Sequence, residues 1–204
     1  MAIIIKQDCM RVLWIGSPGL YRPLQRKVGG GYNGGGWVAS IQKEIMKRED
    51  ITLAVSFCMN GQPERVVQDG VCYYPVPHHT KRLKDKVLDI IHYKDATRDE
   101  VLWQHYIGHF KRVIEDFKPD IIHVFGFEIA LCEIIGNTDI PVVVHIQGLL
   151  TPIDNAFFPN GFNKRTFAIP PTIDELVLNR GFIYDKDKTY AMALREIGLL
   201  KKTS

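Results

Sequence analysis

The strongest constraint on the fold is an alternation: short, continuously apolar runs return along the chain with amphipathic helical stretches between them. Arg11-Val-Leu-Trp-Ile15 ends at Gly16 and is followed by the turn residues Ser17, Pro18 and Gly19, the profile of a strand buried on both faces. From Trp37 the apolar residues recur at Val38, Ile41 and Ile45, with Gln42, Lys43, Glu44 and Lys47 opposite, which is helical periodicity. Thr52 to Phe57 reads as a second strand and Val71 to Val76 as a third, with the short run Arg65-Val-Val67 before it. Thr97 to Phe117 carries Trp103, Tyr106, Ile107, Phe110, Val113, Ile114 and Phe117 on one stripe. Thr97 and Glu100 have capping-box spacing at its start, and Lys118-Pro119 stops it. Asp120 to Phe125 is the next strand, Phe127 to Ile135 the next helix, and Pro141 to Ile146 the strand after.

This order predicts right-handed crossovers and an α/β fold, a Rossmann-like, doubly wound parallel sheet with helices on both faces. Ligands of such sheets sit beyond the carboxyl ends of the strands. Three segments are therefore expected to face one crevice: the glycine loop after Ile15, the turn after Phe125 and the turn after Ile146. Residues 1–152 read as this domain. Residues 153–204 read as an irregular segment carrying Pro159, Pro170 and Pro171, followed by helices over Thr172 to Asn179 and Asp187 to Lys201. With no strand to receive the last helix, the pattern predicts a domain cut off before a second half, its final helices poorly packed or lying out against a neighbour.

Composition narrows the function classes. A net charge of +3 does not call for a nucleic-acid partner. No apolar run approaches the ~18–20 residues that span a bilayer. Cys9, Cys58, Cys72 and Cys132 are scattered without a C-x-x-C pair, which argues against a zinc site or disulfide framework and suits a reducing, cytoplasmic setting. His105 and His109 have metal-capable helical spacing, but no glutamate follows His105, so no metal is expected. Lys81, Arg82, Lys84 and Lys86 form the one basic cluster. It reads either as a solvated face or as a contact with anionic head groups at the inner face of a membrane or with a phosphorylated acceptor.

The strongest local signal is glycine. Residues 16 to 36 hold eight of the 17 glycines, and Gly34, Gly35 and Gly36 open a helix directly. Bare backbone N–H groups beside a helix N-terminus suit a phosphate. Gly29 to Gly34 formally matches G-x-G-x-x-G, so a dinucleotide-binding module for NAD or FAD is one alternative. That fingerprint places its glycines immediately after the strand, and here about a dozen residues intervene. A flexible surface loop without a ligand, on a non-catalytic α/β interaction domain, is the other.

Three segments carry a resemblance. Gly34-Gly-Gly-Trp-Val38, Lys118-Pro-Asp-Ile-Ile-His-Val-Phe-Gly-Phe-Glu128 and Pro141-Val-Val-Val-His-Ile-Gln-Gly-Leu-Leu150, in that order, resemble the first loop and two strand-turn segments of retaining GT-B glycosyltransferases. The likeness covers residues 10 to about 150 well and the rest loosely. It implies the amino-terminal half of a two-domain enzyme that transfers a sugar from a nucleotide-sugar to a carbohydrate or lipid-linked acceptor, with no cofactor. Gly34, Gly35 and Gly36 would touch the donor phosphates. The second half of such enzymes grips the nucleotide-sugar through two glutamates with seven residues between them, and no two glutamates here have that spacing. The donor-binding domain is therefore expected to be missing, and the 204-residue chain alone nearly inactive.

Gln147 stands where the family commonly has histidine. An amide donates to one hydroxyl and accepts from another but is no general base. Retaining transfer in this family is thought to let the leaving phosphate assist the incoming hydroxyl, so Gln147 is the first candidate catalytic residue or else a structural strand end. His145, two residues back on the same strand face, is the second, or else a buried, hydrogen-bonded histidine. His123, Gly126, Glu128 and Gly148 flank the two turns as candidate acceptor-binding residues; Glu128 either accepts from hydroxyls or steadies its own helix N-terminus.

Overall fold

The computed structural model describes residues 9–16, 36–59, 64–79, 82–84, 87, 100–127, 130–162 and 182–202. Gly34, Gly35, Glu128, Lys81, Lys86, Thr97 and the helix expected over Thr172 to Asn179 lie outside them. Two compact units are present. One comprises Met1–His78, Ile107–Phe125 and Thr138–His145, the other His79–Tyr106, Gly126–Asn137 and Ile146–Ser204.

The first unit holds the sheet. Its strands are β1 (Met10–Gly16), β2 (Ile51–Met59), β3 (Val66–Gln68), β4 (Val71–Pro77), β5 (Ile121–Phe125) and β6 (Val142–His145), in the spatial order β3-β4-β2-β1-β5-β6. Every neighbouring pair is parallel except β3 with β4. That hairpin turns through Asp69 and Gly70, both at positive φ (51° and 79°), as a two-residue turn matching the strand twist requires. With β3 set aside, the parallel strands run third, second, first, fourth, fifth in chain order. The expected doubly wound α/β arrangement is therefore found, and the order reverses between β1 and β5.

Helix α1 (Gly36–Ile45) covers one face. Val38 is buried with Val12, Trp14, Leu53, Val55, Phe57, Tyr73 and Phe125 in one cluster, and Ile41 and Ile45 pack against it. Gln42 Nε2 donates to the Tyr73 hydroxyl at 2.6 Å, tying the helix to β4. The end of helix α2 (Glu100–Phe117) covers the other face. There the Tyr74 and Phe117 rings meet edge to face at 6.4 Å, and the Tyr74 hydroxyl donates to Asp116. Arg11 lies over the Phe117 ring at 4.7 Å and donates to the Phe117 carbonyl. Lys118 sits at φ 52°, and the Arg11 backbone N–H donates to Asp120 Oδ2 at 2.7 Å. The helix stop read from Lys118-Pro119 is thus also the clamp that starts β5.

Two expectations need correction. The helix expected over Phe127 to Ile135 is, among its described residues, a 3-10 helix, Ala130–Ile134. Leu131, Cys132, Ile134 and Ile135 are all buried, so this segment has no polar stripe to define an amphipathic helix. Gly136 at φ 75° then ends it, with the Asn137 side chain donating from Nδ2 to the Glu133 carbonyl at 2.7 Å. The second correction concerns the chain's last helix. In the other unit, helix α3 (Leu150–Asn155) packs against helix α4 (Phe182–Leu200), which buries Ala193, Arg195, Glu196 and Leu199. One face of the terminal helix is packed, where Arg195 and Glu196 have dedicated partners, while Tyr190, Leu194, Ile197 and Leu200 stay exposed.

All four cysteines are free thiols. Among the described residues no helix is long and apolar enough to cross a membrane. Arg82 and Lys84 of the basic cluster are exposed, as is Leu83 between them.

Candidate functional site at the crests of β5 and β6

A ladder of five rings stands in the first unit where the strand order reverses. Register and alternation build it. Trp14 on β1 pairs with His123 on β5, and Phe125 pairs with His145 on β6, so all four side chains share one sheet face. The rings of His123 and Phe125 are stacked at 4.3 Å, and those of His123 and His145 lie 6.0 Å apart at 28°. Phe125 and His145 are 5.9 Å apart at 25°. Trp37, the second residue of α1, closes the ladder from above. Its ring lies 4.7 Å from His145 at 32° and 5.7 Å from Phe125. Trp14 forms the floor, fully buried, with its ring edge-on to His123 at 6.0 Å and to Phe125 at 5.0 Å.

Exposure grades along this ladder. Trp14 is inaccessible, Phe125 is buried, His123 is half-buried, and His145 and Trp37 are exposed. The apolar side chains anchor the stack, and its upper rungs meet solvent. Burial holds the His123 imidazole below its ordinary pKa, and the charge that His145 can carry adds to the effect. His123 is therefore a neutral donor and acceptor at neutral pH, which suits hydroxyl recognition better than charge pairing. Trp14 Nε1 is buried and has no hydrogen-bond partner among the described residues.

His123 and His145 are brought together, and Gly36 opens α1 directly before Trp37. The buried alternative for His145 is not what is found: β6 is the edge strand, its pattern is alternately half-buried and exposed, and His145 is open to solvent. Gln147 does not share its strand face, because β6 ends at His145. In the other unit, Gln147 is exposed and Gly148 is half-buried. Gly126 is buried at φ 88°, a conformation that selects glycine. Gly148 has no such constraint, and a methyl there would meet Ile153 Cδ1 at an ordinary 3.6 Å. His109 shares a hydrogen bond with Arg112, and no group of three potential metal ligands occurs among the described residues.

Sequence reasoning missed Trp37, Phe125 and Trp14 as site residues. It treated them as strand and helix apolars. The signal was the recurrence of rings at alternate positions of β5, His123 and Phe125, with His145 at the end of β6 and Trp37 at the start of the first helix.

Neither a protein-family model nor a curated protein matches the sequence. Among solved structures the chain is similar to UDP-GlcNAc 2-epimerase from Neisseria meningitidis bound to UDP-GlcNAc, with a TM-score of 0.40 and 19% identity, covering 94% of this chain and 51% of that one. The chain spans about half the length of that structure.

Proposed function

We propose that this chain is the amino-terminal half of a retaining GT-B glycosyltransferase, which transfers a sugar from a nucleotide-sugar to a carbohydrate or lipid-linked acceptor. The observation that carries the reading is the exposed Trp37–His145 stack at the crests of β5 and β6, directly beside the N-terminus of α1. An aromatic face accepts the apolar C–H face of a pyranose, and a neighbouring imidazole exchanges hydrogen bonds with its hydroxyls. The helix N-terminus supplies unpaired N–H groups and a positive dipole end for phosphate.

In this mechanism the glycines up to Gly36 receive the donor phosphates. Trp37 holds a sugar face, and His145 and His123 fix hydroxyl directions. Gln147 orients the reacting pair without taking a proton. The acceptor hydroxyl attacks the anomeric carbon from the face the nucleotide leaves, and its proton passes to the departing phosphate oxygen. Positioning supplies the acceleration, and no side chain needs to act as base. The second domain would close the cleft and exclude water.

The test is sugar transfer by the protein expressed from its complete reading frame, using a panel of nucleotide-sugars and NMR of the product's anomeric configuration. Transfer with retention supports the reading. Turnover of no nucleotide-sugar, with tight NADH or FAD binding instead, would replace it by the dinucleotide reading.

A further inference from the structure

Two adjacent buried charges on α4 hold two separate turns of the second unit. Glu196 is 2% exposed, and its carboxylate accepts from the backbone N–H groups of Leu150 at 2.8 Å and Thr151 at 3.2 Å, and from Thr151 Oγ1 at 3.2 Å. These N–H groups belong to the first turn of α3, whose own N-cap position, Leu149, offers no side-chain acceptor. A carboxylate from 45 residues away thus fills the role that a serine or aspartate usually fills locally. Arg195 is 9% exposed, donates from Nη2 to the Phe127 carbonyl at 3.2 Å and lies 3.9 Å from Glu133. Phe127 follows Gly126 in the turn after β5. Leu150 follows Gln147 and Gly148 in the turn after β6.

We infer that Arg195 and Glu196 are positioning residues: one helix of the second unit fixes the backbone of both turns that carry Gly126 and Gln147–Gly148. This rests on the glycosyltransferase reading for its catalytic consequence, and on geometry alone for the holding of the turns. A buried ion is retained where it satisfies several donors at once, as Glu196 does. Both side chains are buried. Their effect on a reaction is transmitted through the turns, and a shift of about 1 Å in an orienting group lowers a rate by about a hundredfold.

The experiment compares the protein from its complete reading frame with Glu196→Gln, Glu196→Asp and Arg195→Lys, using amide hydrogen exchange and transfer kinetics. Glu196→Gln keeps the side chain's volume but turns an NH2 toward backbone donors, so the fold is retained where Glu196→Ala would risk it. The expected result is exchange at Leu150 and Thr151 accelerated at least tenfold, β1 and β5 amides unchanged, and kcat lowered about tenfold or more with KM little altered. Glu196→Asp restores part of both, and Arg195→Lys gives the same pattern at the turn around Phe127. Unchanged exchange at Leu150 and Thr151 in Glu196→Gln would overturn the holding of the turn. Faster exchange with unchanged kcat would overturn the positioning role. A wild-type protein without transfer would overturn the glycosyltransferase reading instead, and the exchange result would still decide the holding of the turns.

Discussion

The Trp37 ring lies 4.7 Å from that of His145, and both are exposed while the rings beneath them are not. Such a pair adds little to the core. Trp37 is 39% exposed, against 5% for Val38, which carries the packing of α1. Replacing Trp37 by alanine should therefore leave the melting temperature nearly unchanged and lower kcat/KM for sugar transfer by tenfold or more, with Trp37→Phe retaining most of the activity. Thermal melts and transfer kinetics on the same samples check this. A large loss of stability would mean that the ring belongs to the core rather than to the site.

The second prediction concerns protons. Because burial is the larger cause of the lowered His123 pKa and His145 the smaller, His145→Leu should raise that pKa toward its ordinary value without reaching it. Imidazole NMR titrations read it directly. The stability consequence has a definite sign. Above the ordinary value of about 6.5, His123 is neutral in both folded and unfolded chains, and its full contribution is present. As pH falls through that value and then through the lowered folded pKa, the unfolded chain binds the proton first and stability is lost. His78, lowered by partial desolvation, acts in the same direction. His123→Gln should flatten part of the acid slope in melting temperature and leave the part due to His78.

Two glycines that look alike in the sequence should behave differently. Gly126 sits at φ 88°, so Gly126→Ala should destabilise the fold by about 1–2 kcal/mol. Gly148 has room for a methyl 3.6 Å from Ile153 and no left-handed backbone, so Gly148→Ala should change stability by less than about 0.5 kcal/mol. Denaturant midpoints of the two variants decide it. If Gly148→Ala nevertheless lowers transfer, the role of Gly148 is in binding.

Most of the fold was legible because the strands are uniform. Leu13, Trp14 and Ile15 are all inaccessible, and a run buried on both faces shows as an unbroken apolar word. The strand β3 was legible only in outline, as the short run Arg65-Val-Val67, since Val67 is exposed and gives no pattern. The segment from Phe127 to Ile135 misled, because burial on every side produces the same letters in a 3-10 turn as in a core helix. The packing of α4 was hidden for the opposite reason. Nothing in the sequence around Arg195 and Glu196 marks them as buried, and only their distant partners, Phe127 and Leu150, explain their burial. In the candidate site, the histidines were visible as chemistry-bearing residues. The aromatic rungs were not, because a strand-end phenylalanine reads as core whether or not a ligand lies above it.

The central claim is that the upper rungs of the ring ladder face a sugar. NMR titration of the protein from its complete reading frame with millimolar nucleotide-sugars tests it most directly, reading the indole N–H signals of Trp37 and Trp14 and the imidazole signals of His145. The account predicts that Trp37 and His145 shift together and saturate with one sugar-nucleotide while the fully buried Trp14 moves little. Saturable binding that leaves both Trp37 and His145 unmoved would contradict it.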